Sequence, residues 1–290
     1  MLSYYGSQWF DSSGNTLQQA SVARAQKALH LAAADEHRSD FPLHKIKSAV
    51  DAGKGEEYYL PGVHSDVGGS YNLANEAALG LKTDETKKEY MRSSGEGIKK
   101  GVSINDMAYK GLVLFEHSNR ARLEQDRTDL IAQGWYLHEQ IKVLVVGWDE
   151  EGDPAYYALC VKRPEISSAY CNIPLKIMAE YARKPDVKLN IDTKLEDRAN
   201  LILSKGSIKD DLIDFEKKIK QYIAGNKSSK AKDWTGDDAL IKYPELKNIR
   251  NRHFHFSSKP GMGYSPNFTF DLAAGKYRRT RYEYNDSEDS

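Results

Sequence analysis

The sequence predicts a mixed α/β chain, and three features carry that prediction. A short β-forming run, Tyr58-Tyr59-Leu60, leads straight into the loop Pro61-Gly62-Val63-His64-Ser65-Asp66-Val67-Gly68-Gly69, as happens where a strand delivers polar side chains at its end. Two longer β-rich runs, residues 141–148 and 155–161, flank Asp149-Glu150-Glu151-Gly152-Asp153-Pro154 and predict a hairpin around a solvated acidic turn. Residues 207–225 place Ile208, Leu212, Phe215, Ile219 and Tyr222 on one helical stripe. At 290 residues the chain is long enough to bury a sizeable core, in one large domain or two ordinary ones.

Taken in order, residues 1–19 read as irregular and polar, with a turn over residues 11–15. Residues 21–35 are alanine-rich, with Val22, Ala25, Leu29 and Ala33 along one side, which predicts a helix ending near Asp35-Glu36-His37-Arg38 and broken by Phe41-Pro42. Residues 74–81 predict a short helix, followed by a charged, Gly/Ser-containing loop through Gly101, and residues 105–115 a further helix. Residues 173–182 predict an amphipathic helix with Pro174 tolerated in its first turn. Ser207 with Asp210 resembles a capping box, and Gly225 is a natural stop. Lys217, Lys218 and Lys220 lead into a basic loop over residues 226–232, and Arg278 to Arg281 with the acidic residues 286–290 predict a frayed tail.

Lys+Arg 42 against Asp+Glu 42 leaves no net charge, which argues against a broad nucleic-acid surface. Two cysteines, Cys160 and Cys171, do not make a disulfide framework and read as reduced thiols in or near the core. The N-terminus has neither a basic start nor an apolar run, so no cleaved Sec-type signal is expected. No window approaches the roughly 18 apolar residues of a membrane span. A soluble chain is the expectation, which leaves open export by an apparatus that needs no cleaved signal.

The chemistry concentrates in two places. His64, Ser65 and Asp66 stand together at the end of a predicted strand, and His253 and His255 alternate with Phe254 and Phe256, which in an extended segment puts both imidazoles on one side. As metal ligands, His64, Asp66, His253 and His255 lack the spacing of a recognised zinc site. A serine triad needs a nucleophile, an acid and a base. No G-x-S-x-G elbow precedes Asp66, and there is neither a phosphate-binding G-x-x-x-x-G-K-[ST] loop nor a dinucleotide fingerprint.

The wording P-G-V-H-S-D-V-G-G-S-Y over residues 61–71 closely resembles the acid loop of a bacterial α/β-hydrolase family whose members include type VI secretion phospholipase effectors. Residues 28–42 resemble an A-L-D-E-R-R-x-x-F-like string that precedes that loop in the family, and residues 173–182 and 249–258 lend further support. The resemblance implies that Asp66 is the triad acid and that His255, in the context His255-Phe256-Ser257, is the base. His64, His253 and Ser65 are implied as supporting or alternative residues, with no cofactor and no metal. In the family the first strands, the elbow and the oxyanion-hole donors lie N-terminal to the region resembled. The implied fold is therefore a partial α/β-hydrolase lacking its N-terminal strands and nucleophile elbow. Residues 1–185 would be the C-terminal portion of the core with the acid loop and hairpin. Residues 186–245 would be a helical, basic insertion whose 208–222 stripe either packs on a core, as such stripes usually do, or contacts a membrane, and 246–290 a His-bearing return to the core followed by a disordered tail. A parallel sheet without its first strands predicts an unpaired edge and poor folding alone.

The function implied is the C-terminal fragment of a lipid esterase, supplying acid and base against a phospholipid or other lipid ester. It would have a secretion-spike and an immunity partner, and would reside in the bacterial cytoplasm before delivery to a target cell. The alternative is a non-catalytic remnant or binding module that engages an effector, spike or immunity partner.

Overall fold

The computed structural model describes residues 24–36, 45–69, 112–161, 163, 166–226, 233–235, 237–256, 268–271 and 276–279. The helix expected over residues 74–81 and most of the basic loop at 226–232 lie outside them.

In chain order the elements are β1 (Ala28–Ala33), α1 (Lys47–Asp51), β2 (Gly55–Leu60), α2 (His64–Gly68), β3 (Leu112–His117), α3 (Arg120–Ala132), β4 (Ile141–Trp148) and β5 (Pro154–Val161). They continue with α4 (Asn172–Ala182), α5 (Lys194–Leu203), α6 (Gly206–Gly225), α7 (Asp237–Lys242), α8 (Leu246–His253), β6 (Phe268–Asp271) and β7 (Lys276–Arg279). Strands and helices are mixed, as the sequence predicts.

β1 and β2 pair in parallel, from Ala28↔Gly55 to Ala33↔Leu60. Here the expected helix over residues 21–35 is overturned. The alanines of residues 28–34 favour a helix locally, but their backbone groups bond to β2 and its flanks instead, with Ala28 N–H donating to Lys54 O at 2.9 Å and Ala34 N–H to Leu60 O at 2.8 Å. Ala32, Ala33 and Ala34 are buried, so their small side chains serve close packing rather than helix propensity. Among the described residues β1 and β2 pair only with each other.

The predicted hairpin forms as β4 against β5, antiparallel from Ile141↔Val161 outward, and its turn is closed by Asp153 N–H donating to Asp149 Oδ1 at 2.8 Å. β3 adds to the other edge of β5 in the order β3-β5-β4, so Leu112 to Phe115 belong to a strand and not to the helix expected over 105–115. Cys160 and Cys171 are both buried thiols, not joined in a disulfide. Arg278 and Arg279 pair in β7 with β6 instead of fraying.

α6 is the helix predicted from its stripe, but the capping box does not form. The chain enters through Gly206 at φ 42°, and the N-cap is Lys205, two residues before Ser207. Ile208, Leu212, Phe215, Ile219 and Tyr222 are all buried in the main core with Leu60, Ile173, Trp234, Leu246 and Phe254. The stripe therefore faces protein, the first of the two readings its sequence allows. Its lysines are ion-paired as well, Lys217 with Asp214, Lys218 with Glu245 and Lys220 with Glu216 and Glu180. Among the described residues no helix is long and apolar enough to cross a membrane.

Candidate active site

At the carboxyl end of β2 the backbone turns through Gly62 at φ 97°. A Cβ there would lie 3.1 Å from Asp66 Cβ and 3.3 Å from Asp66 Oδ2, so glycine is needed both for the conformation and for the space the aspartate occupies. The single turn of α2 follows, ended by Gly69 at φ 72° in the left-handed region. Asp66 sits in this turn, not in an open loop, and its Oδ2 accepts the Val63 N–H at 3.1 Å.

The same carboxylate holds His255 twice. Oδ1 lies 2.7 Å from His255 Nδ1, and Oδ2 accepts the His255 backbone N–H at 3.1 Å. Both residues are almost fully buried, at 2% and 1% exposure. An acid that takes Nδ1 assigns the ring proton to that nitrogen and leaves the Nε2 lone pair as the basic face. Two contacts on one carboxylate also fix the imidazole's plane.

Two arginines set where His255 stands. Arg163 donates from Nη1 to the Arg250 and Asn251 carbonyls at 3.0 and 3.2 Å and from Nη2 to the Phe254 carbonyl at 2.8 Å, satisfying acceptors left open at the C-terminus of α8. Arg250, 1% exposed, reaches Asp35 Oδ1 at 3.4 Å and the Trp234 carbonyl at 2.8 Å. Asp35 Oδ2 in turn accepts the Gly62 N–H at 2.8 Å. One buried carboxylate at the end of β1 thus ties the helix before His255 to the turn before Asp66. Tyr170 closes the site with its ring 4.6 Å from Phe254, and burial, reinforced by the charges of Asp66 and Asp35, pushes its phenol well above the usual range.

His253 does not share a side with His255. It ends α8, and its Nε2 lies 2.9 Å from Asp211 Oδ2 on α6, where Arg252 also pairs at 2.8 Å. Burial pushes the His253 pKa down, against the opposing pull of Asp211. His64 turns elsewhere again: its Nδ1 lies 2.6 Å from Glu36 Oε2, and its Nε2 lies 3.3 Å from Ser65 Oγ. The four residues weighed as metal ligands are thus divided among three separate carboxylate–imidazole pairs. Asp35, Glu36, Arg163 and Arg250 are not marked as site residues by the sequence. The one available signal was Asp35-Glu36 within the string at residues 28–42, which reads there as a helix end.

No family model matches the chain, and no curated protein matches it. Among solved structures, the Tle1 effector bound to the VgrG spike from the Type 6 secretion system aligns over 81% of this chain at 20% identity, with a TM-score of 0.43. The chain spans 41% of the length of that solved chain.

Proposed function

We propose that this chain is the C-terminal part of a serine-triad lipid esterase, in which Asp66 orients His255 and His255 moves the proton of a serine supplied by another segment. The observation that carries this reading is the double hold of Asp66 on His255 Nδ1 and N–H at the carboxyl end of a parallel strand. A buried acid that fixes the tautomer of a histidine is what general-base activation of a hydroxyl requires. The sequence resemblance at residues 61–71 supplies the substrate class, a phospholipid or related ester, and the setting, delivery by type VI secretion.

The test is complementation. The 290-residue chain is mixed with an N-terminal α/β-hydrolase segment carrying a G-x-S-x-G elbow, and fatty-acid release from phospholipid vesicles is measured. Hydrolysis that needs both parts and is lost in Asp66→Asn supports the proposal. Stoichiometric capture of a spike or immunity protein, with no hydrolysis in any mixture, favours a binding module.

A further inference from the structure

Glu36, His64 and Ser65 form a second carboxylate–imidazole–hydroxyl series, next to Asp66 in the chain but built on its own acid and its own imidazole. Glu36 stands just past the end of β1 and is 3% exposed. Its Oε2 meets His64 Nδ1 at 2.6 Å and also faces the His64 backbone N–H at 3.4 Å. The carboxylate assigns the ring proton to Nδ1, so Nε2 carries the lone pair, and that nitrogen lies 3.3 Å from Ser65 Oγ. The series also runs outward: the acid is sealed, while the His64 side chain is 29% exposed and Ser65 is half-buried. A hydroxyl within reach of a base that is itself oriented by a third group is the general signature of an activated nucleophile, and the hydroxyl–base contact is commonly long until a substrate is bound. Both carboxylates sit at the carboxyl ends of paired parallel strands, where α/β sheets gather ligands.

We propose that Ser65 is a nucleophile in its own right, activated by His64 and Glu36, and that it accepts an acyl or phosphonyl group from an activated ester. In the step, Ser65 Oγ attacks the carbonyl carbon or the phosphorus and its proton passes to His64 Nε2. The new Oγ–C or Oγ–P bond forms as the bond to the leaving group breaks with its electron pair. His64 then releases the proton to solvent or to the leaving group, with Glu36 holding the imidazolium in between. An electrophile whose leaving group departs readily, such as a fluoride or a nitrophenolate, makes the step easiest to read.

The experiment uses the full chain, a fluorophosphonate probe and p-nitrophenyl acetate, with the site of the adduct mapped by mass spectrometry. The expected result is an adduct on Ser65, absent in Ser65→Ala. Its rate should fall about 100-fold in His64→Gln and by at least about tenfold in Glu36→Gln, in line with the usual share of a positioned base. Far-ultraviolet circular dichroism confirms that each variant is folded, and the unsubstituted chain alone already decides whether Ser65 reacts. No adduct on Ser65, or a rate unchanged in either His64→Gln or Glu36→Gln, overturns the proposal. Because no added segment is needed, failure here is separate from failure of the complementation test.

Discussion

His253 and His255 stand on either side of Phe254, and each is at most 2% exposed with an aspartate against its ring. Their surroundings separate them. His253 belongs to the last turn of α8 and meets Asp211 across a helix–helix contact with α6, where Arg252 shares the same carboxylate. That aspartate therefore balances a guanidinium and fastens two helices. His255 lies past the helix, just after Phe254 in extended backbone, and its aspartate comes from a turn at the end of a parallel strand 189 residues earlier in the chain. Asp66 bonds no arginine among its described contacts; it spends both oxygens on the N–H groups of His255 and Val63. The same pair of residue types fastens two helices in one place and, in the other, holds an imidazole by both its ring and its backbone at the end of a strand. The difference lies in what else the carboxylate must satisfy.

The largest effect that would sharpen this contrast is on catalysis. In the complemented esterase, Asp66→Asn should lower kcat by about 10⁴, the usual result of presenting a base in the wrong tautomer, and His255→Ala should be at least as severe. His253→Gln should leave kcat near that of the unsubstituted protein while lowering the unfolding midpoint. Steady-state kinetics on vesicles checks both. Equal losses from His253→Gln and His255→Ala would erase the distinction.

Next comes the connection between the two halves of the site. Removing Arg250 strands Asp35 as a buried charge, a loss of about 3–5 kcal/mol when one partner of a buried pair is deleted. Urea unfolding of Arg250→Met measures it. The surface pair Lys217–Asp214, with both side chains more than two-thirds exposed, provides the control. Its Lys217→Ala variant should unfold at an unchanged urea concentration.

How much of this was legible in the sequence follows the range of the interactions. The β4–β5 hairpin, α4 and α6 are written in local period and turn chemistry, and the sequence marks them to within a residue or two, while of β2 it marks only the last three residues. β1 is not, because an alanine-rich run takes strand form only when Gly55 to Leu60 lies beside it, and that pairing is invisible in a local window. The Asp66–His255 pair was reached through the wording of residues 61–71 and the His255-Phe256-Ser257 context, not through periodicity. Extended alternation even put His253 on the wrong footing, since α8 continues through it. Asp35 and Glu36 pair with Gly62 and His64 at separations of 27 and 28 residues, and Arg163 caps carbonyls 87 to 91 residues away. Nothing in neighbouring residues encodes those partners.

A smaller perturbation acts on the acid of one pair alone. Gly62→Ala forces a side chain into the left-handed region, at about 1–3 kcal/mol, and sets its Cβ against the Asp66 carboxylate. The imidazole signals of His255 in nitrogen-detected NMR should move, and those of His253 should stay where they are. A shift at both rings would mean that the two pairs are mechanically one unit.

The smallest predicted effect is a pH dependence that belongs to His253. Burial holds its pKa below the ordinary 6.5, and the Asp211 hydrogen bond opposes that shift without cancelling it. Below the unfolded imidazole's pKa, the unfolded chain binds a proton that the native chain refuses, so protonation favours unfolding. The stability associated with a neutral His253 is complete above about pH 6.5 and drains away as the pH falls toward its lowered native value. Had Asp211 instead raised the pKa, stability would fall on the alkaline side, so the sign of the slope reports which influence governs the ring. Urea midpoints measured between neutral and mildly acidic pH should decline for the unsubstituted chain. The decline should flatten in His253→Gln, which keeps a donor for Asp211 but cannot titrate. A slope that survives the substitution intact would assign the acid sensitivity to another group and leave the Asp211–His253 pair a pH-insensitive tie.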